Sequence, residues 1–270
     1  DKQIYKCFGC GSGGGVINFV MANEQLDFLE AVKYLADRYD IELNIEASSG
    51  LPRDVKTQLM DIHNITAQHF NRNLESDEGR PAFEHLLERG LTKETIQTFK
   101  LGYSMDSYDR VLNGLRKHNF TPEAMKQSGV VFETDKGYMD RFRGRIMFSI
   151  ANTNGKIIAF AGRVFKKDDP AKYVNSPETP IYNKSQILYG LFKTRKIIQN
   201  INNVIVVEGY LDFLQLYQAG INNAVAVSGT SFTHQHAILL KRYCSDIKIA
   251  YDGDSAGVSA AIRAGYVMLA

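Results

Sequence analysis

The most regular hydrophobic pattern lies near the C-terminal end, where short apolar runs alternate with stretches of helical spacing. Residues 204–207 form the run VIVV, and residues 247–251 form the run IKIAY. Short apolar runs bounded by turn-forming residues are typical of buried strands in parallel sheets. Between these runs the pattern predicts a helix over 212–219, a strand over 224–227 and a helix over 233–243. This order of elements predicts a parallel βαβαβ unit.

The spacing of apolar residues on either side of this unit is mostly helical. Upstream it predicts helices over 25–39 and 54–74, separated by a linker over 46–52 that contains Ser and Gly. Short helices are expected over 79–125, and a further apolar helix over 260–270.

Capping residues divide the region of short helices. Gly90 is expected to end one helix and Thr92 to cap the next. Thr121 followed by Pro122 predicts a further helix start, because Pro suits the first helical position.

After these helices the pattern changes to strands. Residues 130–133 predict one strand. Asn154 and Gly155 form a strong turn signal between apolar runs over 146–151 and 156–160, which predicts a β-hairpin.

Positive charge is concentrated around this hairpin. The formal net charge is only +2, but residues 136–196 contain 13 Lys and Arg against four Asp and Glu, a net of +9 that leaves −7 for the remainder. Arg141, Arg143 and Arg145 alternate, so on a strand they would share one face. The same region contains nine aromatic residues. Cations beside exposed rings favour a groove for single-stranded nucleic acid, and a solvated charged edge is the alternative.

Carboxylates follow the first and last predicted strands of the parallel unit. Glu208 directly follows the first strand, and Asp252 and Asp254 follow the last. Ligands of such sheets bind at the carboxyl ends of the strands, and carboxylate oxygens suit Mg²⁺. Asp212 falls in the first turn of the next helix, where a carboxylate also suits the helix dipole. The alternative is that these acids are solvated loop residues or helix caps.

Three cysteines are present, and two of them form one C-x-x-C motif, Cys7 and Cys10. A Gly lies within two residues after each of the two, and this spacing can direct both thiolates at one Zn²⁺. A redox pair and two incidental thiols are the alternatives. We expect Cys244, which lies at an apolar helix end, to be a core residue.

The cysteine usage also bears on location. An odd number of cysteines without a secretory leader favours a cytoplasmic protein. No apolar run approaches the roughly 18 residues that a membrane helix needs, so we expect no membrane partner.

The acidic motifs resemble a known domain. VIVVEGYLD, SGTSFT and IAYDGDSAG are similar to the TOPRIM domain of bacterial-type DNA primases, which topoisomerases and some nucleases share more loosely. The resemblance implies that Glu208, Asp252 and Asp254 are catalytic and bind Mg²⁺ or Mn²⁺, with Asp212 as a further ligand. The family carries a later acidic cluster, which we expect beyond Ala270.

Two further stretches carry the same resemblance. CFGCGSGGGVINFVM is similar to the second half of the primase zinc-binding domain, which implies that Cys7 and Cys10 bind Zn²⁺ with a Cys and a His expected before Asp1. LLERGLTKETIQTFKLGY, DRFRGRIMFSI, GKIIAFAGRVF and AKYVNSPETPIYNKSQILYGL resemble the primase polymerase domain and its basic ridge. The resemblance implies that the following residues contact template or nucleotides: Arg89, Arg143, Arg145, Arg163, Lys172, Tyr173 and Lys184.

Together these patterns predict a chain of mixed α+β and α/β class, an excerpt of a longer protein. We predict the C-terminal part of a zinc-binding domain over 1–47, a linker and helix over 48–75, a basic α+β subdomain over 76–200 and an incomplete TOPRIM subdomain over 201–270.

The predicted function is that of a primase, a DNA-directed RNA polymerase acting on single-stranded DNA and ribonucleoside triphosphates. The resemblance also implies a replicative helicase as partner, through a domain beyond this chain. Another TOPRIM enzyme, such as a nuclease or topoisomerase, and a binding module without catalysis remain alternatives.

Overall fold

The computed structural model describes residues 4–9, 13–24, 26, 28–39, 41, 55–165, 171–227, 229 and 231–269. The chain divides into two units, residues Asp1–Pro52 and Arg53–Ala270. The linker predicted over 46–52 lies outside the described residues. The finer division into four segments stays a prediction.

The first unit pairs a small hairpin with two helices. Its elements are β1 (Ile4–Lys6), β2 (Gly13–Gly15), α1 (Val16–Glu24) and α2 (Phe28–Arg38). The two strands are antiparallel, and the Tyr5 ring meets the Phe19 ring of α1 edge-on with centroids 5.2 Å apart. The helix predicted over 25–39 corresponds to α2, although residues 25 and 27 lie outside the described residues. The pattern did not predict α1, because its apolar residues point to most sides and leave no single stripe.

The second unit begins with helices joined by short turns. These elements are α3 (Val55–Glu75), α4 (Arg80–Glu88), α5 (Lys93–Thr98), β3 (Gly102–Ser104), α6 (Arg110–Arg116) and α7 (Pro122–Ser128). The predicted caps are confirmed: Oγ1 of Thr92 accepts from the Thr95 N–H, and Oγ1 of Thr121 accepts from the Ala124 N–H, both at 3.2 Å. Gly90 ends α4 in the left-handed region, with φ of 82°.

Helix α6 is capped from a distance. The Asp140 carboxylate accepts from the N–H groups of Val111 and Leu112 at 2.8 and 2.9 Å. Burial raises the pKa of Asp140, and these two hydrogen bonds lower it. A sequence pattern could not indicate this cap, because the acid lies far from the helix along the chain.

The predicted hairpin belongs to an antiparallel sheet. The strands of this region are β4 (Val131–Thr134), β5 (Gly137–Asp140), β6 (Arg145–Ala151), β7 (Ile157–Val164) and β8 (Tyr173–Asn175). The sheet has the order β3-β6-β7-β8, and β4 pairs with β5 separately. The β6–β7 hairpin is confirmed, and Oδ1 of Asn152 closes its loop by accepting from the N–H groups of Asn154 and Lys156 at 3.0 Å each.

The alternating arginines do not share a strand face, so that prediction was wrong. Strand β5 ends at Asp140 and β6 begins only at Arg145. Between them Gly144 adopts a left-handed conformation with φ of 60°, which breaks the extended backbone. Arg141 and Arg143 therefore lie in a bend.

The remaining elements form the predicted parallel unit. They are a 3₁₀ turn (Lys184–Gln186), α8 (Leu191–Ile201), β9 (Asn203–Val207), α9 (Tyr210–Gln218), β10 (Ala224–Ala226), α10 (His234–Leu240), β11 (Asp246–Ile249) and α11 (Ser255–Leu269). Strand β9 lies between β10 and β11 and is parallel to both, which confirms the βαβαβ unit.

Two details of this unit differ from the prediction. Strand β11 was expected to be buried, but its residues are exposed or half-buried, since within the described residues it pairs with β9 alone. The helix expected over 260–270 begins at Ser255, because the carboxylate of Asp254 caps it.

One hydrophobic core of the second unit joins the parallel sheet to the four-stranded antiparallel sheet. Phe99 lies 5.2 Å from Phe213 of α9 and 6.1 Å from Tyr189, ring centroid to centroid. On the antiparallel sheet, His63 stacks on Phe160 at 5.5 Å. Cys244 is buried, as predicted. None of the helices in the described part of the chain is long and apolar enough to cross a membrane.

Candidate metal and nucleic-acid site

The three predicted catalytic acids lie at the carboxyl ends of the parallel strands. Glu208 directly follows the central strand β9, and Asp252 and Asp254 lie in the segment between β11 and α11. Because β9 and β11 are parallel, these ends meet at one edge of the sheet. We call the four carboxylates Glu208, Asp212, Asp252 and Asp254 the acidic edge.

Glu208 is held in a setting that disfavours its charge. Its Oε1 is buried and accepts no hydrogen bond from the described residues. Burial raises the pKa of Glu208; the backbone amide of Asp252 lowers it, and the charges of Asp252, Asp254 and Asp212 raise it further. The four carboxylates therefore lie close enough to interact.

Two of the acids also cap helices. Oδ2 of Asp212 accepts from the Gly209 N–H at 3.0 Å, at the start of α9. Oδ1 of Asp254 accepts from the Gly257 N–H at 2.7 Å, at the start of α11. The alternative that these acids are helix caps is therefore confirmed for Asp212 and Asp254. It leaves the second oxygen of each carboxylate for another partner.

The donor set suits a hard divalent cation. Oxygen ligands are what Mg²⁺ and Mn²⁺ prefer, and a cation would relieve the repulsion at Glu208 and satisfy its buried Oε1. Among the described residues, no three His, Cys, Asp or Glu side chains are already arranged as a metal site. The acids fit a cation by chemistry and proximity.

A cleft of about 370 Å³ adjoins Glu208 at the same edge of the sheet. It is lined by Glu208, Val227, Gly229, Ser231, Phe232, Tyr251, Ala260, Arg263 and Ala264. The hydroxyl of Tyr251 is buried there without a hydrogen-bond partner in the described structure. Burial raises the pKa of Tyr251 to about 12, and the charge of Glu208 acts in the same direction.

The antiparallel sheet brings cations to the acidic edge. Arg163 of β7 pairs in register with Tyr173 of β8, and its Cζ lies 5.9 Å from the Tyr173 ring centroid. Burial raises the pKa of Tyr173; the charges of Arg163 and Arg89 lower it, and the charge of Asp212 raises it. Tyr173 is therefore surrounded by two predicted cations and one acid of the edge.

Arg143 and Arg145 have different surroundings, although the sequence predicts one role for both. The Arg143 guanidinium lies over the exposed ring of Tyr108, 4.8 Å from its centroid. Arg145 is only 5% exposed, and its Nη1 donates to the carbonyl oxygens of Ala171 at 2.8 Å and Gly162 at 3.4 Å. This burial argues against nucleic-acid contact by Arg145 and indicates a structural role.

Lys172 and Lys184 lie outside the strands, and Lys184 begins the 3₁₀ turn. Lys172 is exposed just before β8. The backbone of Lys184 is fixed on both sides: its N–H donates to Oε1 of Glu178 at 3.0 Å, and its carbonyl accepts from Nε2 of His236 at 3.1 Å.

Sequence reasoning missed His236 and His85. His236 is buried, and because its Nδ1 accepts from the Thr233 N–H, its Nε2 carries the proton that reaches Lys184. His85 lies 5.8 Å from Phe165, and burial together with the charges of Arg163 and Arg89 lowers its pKa. A lone histidine in a helical pattern carries no signal that would have indicated either contact.

The aromatic residues of the basic region are mostly core residues. Five of the nine rings are buried: Phe142, Phe148, Phe160, Tyr182 and Tyr189. The partly exposed rings are Tyr138, Phe165, Tyr173 and Phe192. Of these, Tyr173 lies beside the acidic edge, with its ring 6.0 Å from that of Tyr210 on α9.

The first unit carries the predicted cysteine pair. Cys7 is exposed on the turn that follows β1. Cys10 lies outside the described residues, so the geometry of the pair stays a prediction. An exposed thiol on a hairpin turn fits a zinc knuckle by its chemistry.

Three family models match the chain. They describe a CHC2 zinc finger over residues 1–50, the N-terminal domain of the DNA primase catalytic core over residues 69–195, and a Toprim-like domain over residues 205–268. The matches follow the order of the three resemblances.

Individual relatives agree with these matches. A DNA primase of Listeria monocytogenes is 40% identical over 278 residues, an alignment that covers 100% of this chain and 44% of the relative. The zinc-binding and RNA polymerase domains of the Aquifex aeolicus primase superpose with a TM-score of 0.75 at 33% identity, covering 99% of this chain and 64% of that one.

A third relative was crystallised with nucleic acid. It is the RNA polymerase domain of the Mycobacterium tuberculosis primase DnaG, in complex with a double-stranded DNA oligomer that has a 6-nucleotide overhang. Its TM-score is 0.73 at 31% identity, covering 77% of this chain and 68% of that one. The chain thus spans less than half of the curated Listeria relative but most of this solved domain.

Proposed function

The chain belongs to the DNA primase family, and we propose that it forms part of a DNA-directed RNA polymerase that makes short primers on single-stranded DNA. The observation that carries this proposal is that positively and negatively charged side chains lie near the same residue, Tyr173. The Arg163 Cζ lies 5.9 Å from the Tyr173 ring centroid, and the charges of Arg89 and of Asp212 in the acidic edge also act on the pKa of Tyr173, in opposite directions. Phosphoryl transfer needs such a site, because it depends mainly on positioning and charge stabilisation.

The acidic edge is proposed to hold Mg²⁺ or Mn²⁺. Glu208, Asp252 and Asp254 would be the ligands and catalytic acids, with Asp212 as a further ligand. When bound, such an ion neutralises phosphate charge and favours the attacking form of a 3′-hydroxyl. The support is the donor chemistry and the buried, unpaired Oε1 of Glu208.

The basic residues are proposed to bind the template strand and ribonucleoside triphosphates. The proposed contacts are Arg89, Arg143, Arg163, Lys172, Tyr173 and Lys184. Lys172 and Arg89 are exposed, and Arg143 and Arg163 each lie over an aromatic ring. Stacked guanidinium and ring pairs suit a single strand, because bases can stack there without regard to sequence. The complex of the similar mycobacterial domain with DNA supports this assignment.

Zinc and a protein partner complete the proposal. Cys7 and Cys10 are proposed to bind Zn²⁺ within a zinc-binding domain that helps to grip the template. The matched zinc finger model over residues 1–50 supports this role. A replicative helicase is the proposed partner, contacted through regions that the longer relatives contain.

Competing functions make different products. A nuclease would release nucleotides from DNA. A binding module would neither release nor incorporate nucleotides. The test supplies radiolabelled ribonucleotides, Mn²⁺ and single-stranded DNA to the full-length enzyme of which we expect this chain to be part. Labelled RNA of short length is expected. Degradation of the DNA without incorporation, or binding without either product, would overturn the proposal.

A further inference from the structure

Gly257, near the start of α11, lies beside three of the four acids of the edge, Glu208, Asp252 and Asp254. Its N–H donates to Oδ1 of Asp254 at 2.7 Å. The residue is buried, and a Cβ built on it would lie 2.2 Å from the carbonyl oxygen of Asp252 and 3.0 Å from Oε1 of Glu208. One residue therefore touches all three acids.

Backbone freedom does not explain a glycine at this position. Gly257 is helical and does not belong to the glycines with positive φ. Inside a helix Gly is less favourable than Ala, because it loses more backbone entropy. The remaining reason is space, since any side chain would collide with the backbone of Asp252.

We propose that Gly257 is a positioning residue for the acidic edge, a role that rests on the metal site proposed above. The missing side chain lets the first turn of α11 close onto Asp252 and Glu208. A Cβ essentially never lies within 3.0 Å of a non-bonded atom of another residue, so a side chain at position 257 would push away the Asp252 carbonyl oxygen, which would lie only 2.2 Å from the Cβ. Glu208 follows β9 and Asp252 follows β11, so this displacement would separate ligands carried by different strands.

The test compares two identical substitutions on one helix. Gly265 also lies on α11, but a Cβ there would meet nothing within 4 Å. Mn²⁺ affinity is measured by electron paramagnetic resonance for Gly257→Ala and Gly265→Ala. Gly257→Ala should weaken Mn²⁺ binding by about 10-fold or more, the range seen when groups that orient metal ligands are changed. Gly265→Ala should leave it unchanged.

Single-stranded DNA binding separates a local effect from unfolding. It depends on the basic residues, so Gly257→Ala should retain it while Mn²⁺ affinity falls. Loss of both together would show general disruption and overturn a selective role for Gly257. Equal Mn²⁺ affinity of the two alanine variants would overturn it as well.

Glu208→Gln is measured alongside, to separate this inference from the proposed function. If Glu208→Gln leaves Mn²⁺ binding unchanged, the metal site itself is wrong and both proposals fall. If Glu208→Gln weakens binding and Gly257→Ala does not, only the positioning role fails. In the double variant, Mn²⁺ affinity should fall by less than the product of the two single fold-losses, because both substitutions act on one site. A fall equal to that product would show that the two residues act independently and would contradict the proposal.

Discussion

The parallel sheet and the four-stranded antiparallel sheet of the second unit place opposite charges near each other by different means. In the parallel sheet, Glu208 and Asp252 follow the strand ends, and the topology alone brings them to one edge. In the antiparallel sheet, Arg163 and Tyr173 lie within strands that pair in register, and Arg143 lies in a bend. The acids are thus placed by where strands end, and the cations by pairing and packing.

This difference decides whether the role of a charged residue can be predicted from its residue type and its place along the chain. Glu208 and Asp252 lie at the edge of the parallel sheet because they follow the carboxyl ends of its strands. Arginines beside strands can point to solvent or into the protein, and two that are two residues apart do both: Arg143 covers an exposed ring, whereas Arg145 is 5% exposed. The predictions below separate these two kinds of placement.

The largest effect is expected at the acidic edge. Glu208→Gln keeps the shape and removes one charge, so it should leave the fold intact but reduce primer synthesis by more than about 100-fold, beyond the loss caused by groups that only orient ligands. Incorporation of labelled ribonucleotides by the full-length enzyme measures this.

Asp246→Asn is the matched control for Glu208→Gln. Asp246 begins β11, so its carboxylate lies at the opposite, amino edge of the same sheet. Primer synthesis and Mn²⁺ binding should be retained. Equal losses in both variants would contradict the assignment of the metal site to the carboxyl edge.

The antiparallel region should be sensitive to acid through His63. Burial lowers the pKa of His63 from 6.5 to about 4, against the opposing effect of its hydrogen bond with the Leu59 carbonyl. The unfolded chain then takes up a proton that the folded chain does not, so the unfolding free energy is retained above pH 6.5 and falls as the pH drops towards 4. The loss should be about 3 kcal/mol, since every tenfold weakening of proton affinity corresponds to roughly 1.4 kcal/mol.

Urea denaturation at a series of pH values tests the His63 prediction. His63→Phe cannot titrate and can still stack on Phe160. Its stability should depend less on pH between 6.5 and 4, the pKa values of this histidine in the unfolded and folded chain. An unchanged pH dependence in this variant would show that other groups cause the acid sensitivity.

A smaller loss of stability is expected at Arg145. Arg145→Ala removes hydrogen bonds to the carbonyls of Ala171 and Gly162 and should lower the unfolding free energy by about 2 kcal/mol. Arg143→Ala, two residues earlier, should change it by less than about 0.5 kcal/mol, as surface substitutions usually do. Equal losses in urea denaturation would remove the distinction between the two arginines.

The smallest effect is expected in the salt dependence of DNA binding. Arg143→Ala and Lys172→Ala should each lower the log–log slope of single-stranded DNA affinity against salt by about 0.7, the value for one phosphate contact. Lys126→Ala is the control, because Lys126 is paired with Glu133 on the β4 hairpin and lies outside the proposed contacts. If all three variants keep the original slope, the basic region is only a solvated surface.

The parallel unit and the helix caps were predictable because local residues determine them. Short apolar runs, the caps Thr92 and Thr121, and acids directly after strands depend on neighbours a few residues away along the chain. The same holds for the β6–β7 hairpin around its Asn-Gly turn. For the acidic edge, the residue types and the parallel strands were enough to predict that Glu208 and Asp252 would lie at the same edge of the sheet.

Only the tertiary structure decided which charged and small residues serve the site and which serve the fold. The bend at Gly144 turns Arg145 inwards, and Asp140 caps α6 from nearly 30 residues away along the chain. His236 reaches Lys184, and Gly257 leaves room for Asp252, through contacts between elements that are separate in sequence. The sequence by itself determined the succession of strands and helices in the parallel unit and the chemistry of the acids, because these depend on local spacing. Burial, pairing and close approach depend on distant parts of the chain, so the fold alone decided them.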